Sequence, residues 1–139
     1  MVDSHRITKI MERLEGNLRL LESEQEVSAE RASDPLWLPG IKYLFVVAIE
    51  DCIDIAQHIC AVKKLGAVRD NGHSFVLLST GGVIPLRLSE DLRRAVGFRN
   101  VLVHEYVDVD DQVVLRSLAE LGDLRAFSQR IAQWLLGEC

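Results

Sequence analysis

The sequence predicts an all-α bundle of four to five helices, and three observations carry that expectation. Apolar residues recur at three- and four-residue steps over long stretches, the period of a helix rather than the alternation of a strand. Breakers are sparse: Pro35, Pro39-Gly40, Gly66, Asn71-Gly72, Gly81-Gly82 and Pro85. The two runs with strand-like composition, SFVLL and YVDVD, are short and have no evident partner.

Each element follows from its pattern. Ile7, Ile10, Met11, Leu14, Leu18 and Leu21 form the stripe of a first helix, with Ser4 as its cap and an end near Glu26. Ser33 to Gly40 reads as a turn with two prolines and Trp37. A second helix is expected from Ile41 to Leu65. It is apolar on nearly all sides, as the central helix of a bundle must be. One polar stripe interrupts it: Glu50, Asp54 and His58 at i+4 steps. A short helix is expected over Ser74–Thr80. Ser89 is expected to cap the next, with Glu90 and Asp91 in its first turn, and Gly97 weakens that helix locally. The last helix is expected from Asp110 to Leu136, with its stripe on Val114, Leu118, Leu121, Leu124, Phe127, Ile131 and Trp134. Trp37 and Trp134 read as core or interface residues. His5, His58 and His73 have no partner legible in the sequence.

Residues 1–139 are the length of one domain and, at this size, need no staple to hold a core. The longest apolar run, Leu44–Ile49, is far short of the roughly 20 residues of a membrane span. The N-terminus lacks the apolar core of a signal peptide. Cys52 and Cys60 share one helical pattern at about 12 Å of rise, too far for a disulfide. Reduced thiols and a cytoplasmic location are therefore expected. A formal charge of −5 argues against a general nucleic-acid coat, yet leaves room for a small basic site.

Familiar chemical motifs are absent. His104-Glu105 is not followed by the histidine of a metalloprotease helix, and STGGV lacks the Lys-Ser/Thr of a phosphate loop. No metal-ligand spacing is present. One stretch stands apart. GFRNVLVHEY places Arg99, Asn100, His104 and Tyr106 at the end of an otherwise apolar helix. Asn100 and His104 share a face, and Arg99 is one position round from it. Such a set binds phosphate through the arginine fork and moves protons through an imidazole. The plainer alternative is that His104 complements a helix dipole and Arg99 pairs with Glu50 or Asp54.

Arg99, four residues, His104, one residue and Tyr106 resemble the motif of HEPN-domain proteins, and among them the HepT-like toxin family. The block IEDCIDIAQHI and its distance from the motif extend the resemblance over about residues 5–135. That resemblance implies a HEPN-type helical bundle, a two-fold homodimer with both motifs facing one cleft, and a metal-independent endoribonuclease. Arg99 and His104 would be catalytic and Asn100 would assist; apart from the resemblance, Glu50 and Asp54 read as structural residues that orient Arg99 or His104. Tyr106 would carry AMP transferred by an MntA-like nucleotidyltransferase antitoxin. ATP and magnesium would belong to that partner, and this chain itself would use no cofactor.

A dimer also answers a chemical need, since metal-free cleavage requires a base, an acid and positive charge. One Arg and one His supply too little, and residues at a two-fold axis meet their own copies. Local charge cuts both ways. Arg87–Arg99 holds four arginines against two acids, whereas Glu105–Asp111 holds four acids and no base. Two other readings stay open. One is a non-catalytic partner subunit of the nucleotidyltransferase. The other is a plain helical dimer in which Arg99 and His104 bridge to Glu50 and Asp54.

Overall fold

The computed structural model describes residues 3–104 and 108–138. Seven helices follow one another: α1 (Ser4–Ser23), α2 (Ala29–Ser33), α3 (Trp37–Val62), α4 (Asn71–Thr80), α5 (Leu86–His104), α6 (Asp111–Ala119) and α7 (Gly122–Glu138). There is no strand among the described residues, as the periodicity requires. α3 is the axis of the bundle. It contacts α1, α2, α4, α5 and α7, and its buried residues point to every side. A helix apolar all round can only be stable when neighbours cover it all round. None of the described helices is long and apolar enough to cross a membrane.

The core is one continuous cluster. Ile7, Leu14, Leu18 and Leu21 of α1 pack on α3, and Val114, Leu118, Leu121, Leu124, Phe127 and Ile131 close it from the C-terminal side. Two edge-on aromatic pairs pin helices together. Phe45 of α3 meets Phe98 of α5 at 5.2 Å between ring centroids, and Phe75 of α4 meets Phe127 of α7 at 5.6 Å. Trp37 is core, and Trp134 packs against the core's edge with the Lys63 ammonium 5.8 Å from its ring. Cys52 and Cys60 are buried free thiols, and burial pushes both away from the thiolate form.

Several boundaries differ from the sequence expectation, each for a local reason. Asp3, not Ser4, caps α1: its carboxylate accepts from Arg6 N–H at 3.1 Å, and α1 stops at Ser23. The short α2 lies before the stretch read as a turn and shares only Ser33 with it, while α3 begins inside that stretch, at Trp37 rather than Ile41. Pro39 falls in the first turn of α3, where its missing N–H has no intrahelical partner to lose. α3 ends at Val62 rather than Leu65, because Lys64 enters the left-handed region at φ 54°. Asp70 caps α4 three residues earlier than expected through His73 N–H. Ser89 is not a cap. α5 starts directly after Pro85, and Ser89 is buried inside it with its hydroxyl donating to Leu86 C=O.

The last predicted helix is two helices. Glu120 leaves helical geometry at φ −120° and ψ 62°, and α7 starts afresh at Gly122. The apolar stripe continues across the break through Leu121, so periodicity alone joins what the backbone separates.

Polar clasps set the helix registers. Arg125 of α7 binds Glu15 and Glu22 of α1. Arg13 of α1 donates twice to one oxygen of Asp51 on α3, at 2.9 Å from Nε and again from its Nη2. Asp51 is 1% exposed, and its second carboxylate oxygen has no hydrogen-bond partner. Burial pushes its carboxyl above the ordinary range, while Arg13 pulls the other way. Arg13→Ala should therefore cost about 2 kcal/mol at pH 7. In that variant the folded state keeps a proton on Asp51 that the unfolded chain gives up above about pH 4. Its stability should thus fall as pH rises from 4 toward neutrality. Urea melts of both proteins across this range check the direction, and a deficit that does not depend on pH contradicts it.

Candidate functional site

The C-terminal half of α5 carries the motif, and α3 holds it in place. Arg99 lies on the side of α5 that faces α3. Its Nη2 donates to Glu50 Oε1 at 2.7 Å, and its Nη1 to the neighbouring Asn100 Oδ1 at 3.0 Å. Its Nε is buried without a partner, and the side chain as a whole is 20% exposed. The guanidinium is thus gripped at two corners. Among the described residues, one N–H on each terminal nitrogen remains uncommitted, the spacing a phosphate or carboxylate fork accepts.

His104 is the last residue of α5 and is exposed. Asn100 sits one turn before it on the same face, also exposed. The imidazole therefore faces solvent at the end of the helix that holds the fixed arginine. Tyr106 lies outside the described residues.

The polar stripe of α3 divides among three neighbours. Glu50 goes to Arg99. Asp54 is exposed and makes no hydrogen bond to Arg99 or His104 among the described residues; its nearest electrostatic influence falls on Arg13. His58 accepts the backbone N–H of Asp3 at 3.3 Å, and His73 accepts that of Arg69 at 3.2 Å. His58 thus ties the start of α1 to α3, His73 closes the loop before α4, and His5 is exposed on α1. The arrangement does not bury Arg99, His104, Glu50 and Asp54 together.

A groove of about 840 Å³ runs from Asn100 along α5 to the start of α4. Asp70, Asn71, Gly72, Arg93, Gly97 and Asn100 line it. Arg93, Gly97, Asn100 and His104 follow at steps of four, three and four, so they form one stripe of α5. Arg93 is one of the four arginines of Arg87–Arg99, a segment along which RNA could approach, and was not singled out among them; its spacing from Gly97 and Asn100 was the available signal. Among the described residues no three His, Cys, Asp or Glu side chains are placed to hold a metal.

Comparison with known proteins identifies the family and agrees with the helical fold. The HepT-like family model, described as ribonuclease HepT-like, matches residues 7–131. A protein of Archaeoglobus fulgidus that carries an RNase name is 36% identical over 104 residues, 73% of this chain and 77% of that one. The mRNA nuclease HepT of Shewanella oneidensis is 39% identical over 66 residues, 48% of this chain and 50% of its own length. Among solved structures, the tri-AMPylated Shewanella oneidensis HEPN toxin in complex with its MNT antitoxin is similar at a TM-score of 0.84 and 25% identity, covering 96% of this chain and 99% of that one. YutE of Bacillus subtilis, a cytosolic protein, shares the fold at a TM-score of 0.85 and 19% identity, over 99% of this chain and 93% of its own.

The Arg99–Glu50 bridge reaches solvent at both ends, which limits its worth. Glu50→Ala should lower stability by at most about 1 kcal/mol, with a smaller difference in 1 M salt. Urea midpoints at two ionic strengths measure both values. A loss of several kcal/mol that salt leaves unchanged would show a buried structural pair instead.

Proposed function

This chain belongs to the HepT-like ribonuclease family, and on that premise we propose that it is the toxin of a toxin–antitoxin pair. In this reading it is an endoribonuclease that cuts RNA through the substrate's own 2′-hydroxyl, without a metal. An MntA-like nucleotidyltransferase antitoxin silences it by placing AMP on Tyr106. The observation that supports the reading most is the guanidinium of Arg99. It is anchored by Glu50 and Asn100, with free N–H groups left over, five residues before an exposed imidazole on the same helix.

The chemistry requires two copies. Around a two-fold axis, one neutral His104 removes the 2′-hydroxyl proton. The oxygen attacks phosphorus, a 2′,3′-cyclic phosphate forms and the bond to the 5′-oxygen breaks. The protonated His104 of the second copy delivers its proton to that leaving oxygen. Each transfer contributes roughly 10²–10⁴-fold. The paired Arg99 side chains hold the phosphate and meet the charge that grows on its oxygens. Glu50 acts through Arg99: it fixes the fork's direction and, by neutralising part of its charge, limits how tightly bare phosphate is held. Asn100 donates from its amide nitrogen while its oxygen is occupied by Arg99.

Silencing uses the same cleft. The Tyr106 oxygen attacks the α-phosphorus of ATP on the antitoxin, the anhydride bond to the β-phosphate breaks, pyrophosphate leaves and the phenol proton is lost. The new phosphodiester brings negative charge and bulk next to His104, and both oppose entry of RNA. The acids that follow, Asp108, Asp110 and Asp111, are poorly suited to an RNA backbone and well suited to a basic face of the antitoxin. The structural likeness to a toxin solved in its AMP-bearing form with its antitoxin supports this pairing.

Arg99→Ala and His104→Ala should each lower RNA cleavage by at least about 10²-fold while far-UV circular dichroism stays helical. Cleavage at the wild-type rate by either purified variant removes the assignment. Tyr106→Phe should fold, cut RNA and gain no AMP mass when co-expressed with the cognate nucleotidyltransferase. An AMP adduct still found on that variant by intact-mass measurement moves the modification elsewhere.

A further inference from the structure

The groove between α5 and the start of α4 has no role in the cleavage chemistry, yet it opens directly onto Asn100. Gly97 forms its floor. A Cβ added there would meet no atom within 4 Å, so packing inside this chain does not require a glycine. Glycine is also the poorest ordinary helix former, and this one lies within the 19-residue α5. What its missing side chain does create is open space between Arg93 and Asn100.

Arg93 stands at the far end of that space. Its stem lies over the first turn of α4: a Cβ on Gly72 would be 3.6 Å from its Cγ and 3.9 Å from its Nε. It is exposed and makes no hydrogen bond or ion pair among the described residues. Two of its charged neighbours are already engaged. Arg94 is paired with Asp91, and Asp70 spends an oxygen on the His73 N–H. Glu90, exposed, also lines the groove and adds negative charge near its α5 end. The groove is therefore not a trench for any polyanion. Positive charge without a partner is concentrated at the Arg93 corner.

We propose that this groove is an RNA subsite: Arg93 binds a backbone phosphate away from the scissile one, and the space over Gly97 seats the nucleotides between them. This rests on the ribonuclease reading above. The dimensions agree. Arg93 precedes Asn100, its neighbour on the same stripe and the partner of Arg99, by seven residues, about 10 Å of helix rise, the stacked length of about three nucleotides at roughly 3.4 Å each. The groove has the volume of a small-ligand pocket, and its polar lining, with the amide groups of Asn71 and Asn100, suits base edges. Asn71 Oδ1 is already occupied by Gln57 at 2.9 Å, which leaves its amide N–H groups to donate. Substrates longer than the two nucleotides around the cut should gain affinity from this subsite.

The test pairs binding with cleavage. Binding is measured with a 2′-O-methyl oligonucleotide, which cannot be cut, at several salt concentrations, for wild type, Arg93→Ala, Gly97→Leu and Arg116→Ala. Arg116 is an exposed cation on α6, away from the groove. Arg93→Ala should bind roughly fivefold or more weakly, with a salt slope shallower by about 0.7, the value for one single-strand phosphate. Arg116→Ala should match wild type. Gly97→Leu keeps a good helix former but fills the groove, and should weaken binding with little change in slope. In cleavage, the KM penalty of Arg93→Ala should be larger for an octanucleotide than for a dinucleotide. Equal penalties at both lengths, or an unchanged salt slope, overturn the subsite while leaving the nuclease intact. Loss of the dimer in Gly97→Leu by sedimentation, with Arg93→Ala silent, assigns the groove to contact between copies instead. A wild-type protein that neither binds nor cuts RNA fails the underlying ribonuclease reading itself.

Discussion

Two adjacent carboxylates on a helix that must be buried govern the arrangement of the molecule. α3 is covered by neighbours along its length, yet Glu50 and Asp51 sit near its middle. A buried carboxylate is costly without a cation, and consecutive helical residues point about 100° apart. The buried Asp51 therefore takes Arg13 from α1, while the half-exposed Glu50, turned another way, meets Arg99 from α5. One pair is nearly closed off on its acid side and serves to lock α1 on α3. The other stays open to solvent at both ends and leaves donors unspent.

That difference separates scaffold from site. Asp51 keeps no exposure, so Arg13 has nothing left to offer a ligand on that side. Glu50 holds Arg99 from the flank, so the guanidinium is fixed in direction but not used up. Preorganisation of this kind lowers the cost of ordering a long side chain at the moment a phosphate arrives. The Phe45–Phe98 contact, one residue before Arg99, secures the same stretch of α5 against α3. Position and charge at the motif thus depend on α3 twice, once through a ring contact and once through an ion pair.

The sequence was a good guide where long-range periodicity speaks and a poor one where the backbone turns. The four long helices were legible from their apolar stripes, and so was the central place of α3. Caps were less so. Asp3 and Ser4, or Pro85 and Ser89, offer competing oxygens or breakers within one turn, and only the path of the chain selects between them. The break at Glu120 was hidden because a stripe that continues through Leu121 has the same period on either side. At the site, the pairing of Glu50 with Arg99 was one of two options the spacing allowed. Asp54, one turn further along the same stripe, is exposed and makes no hydrogen bond to Arg99 among the described residues.

Order along one helix is a matter of sequence alone. Arg99, Asn100 and His104, and equally Arg93 and Gly97, take their relative positions from 3.6 residues per turn, whatever surrounds them. Which of these side chains is gripped, which is free and which borders open space depends on residues 14 to 49 positions away, because burial and ion pairing are set by the neighbour that packs there. The composition of the motif could name a chemistry, but the anchored guanidinium and the groove beside it exist only once α3, α4 and α5 are packed together.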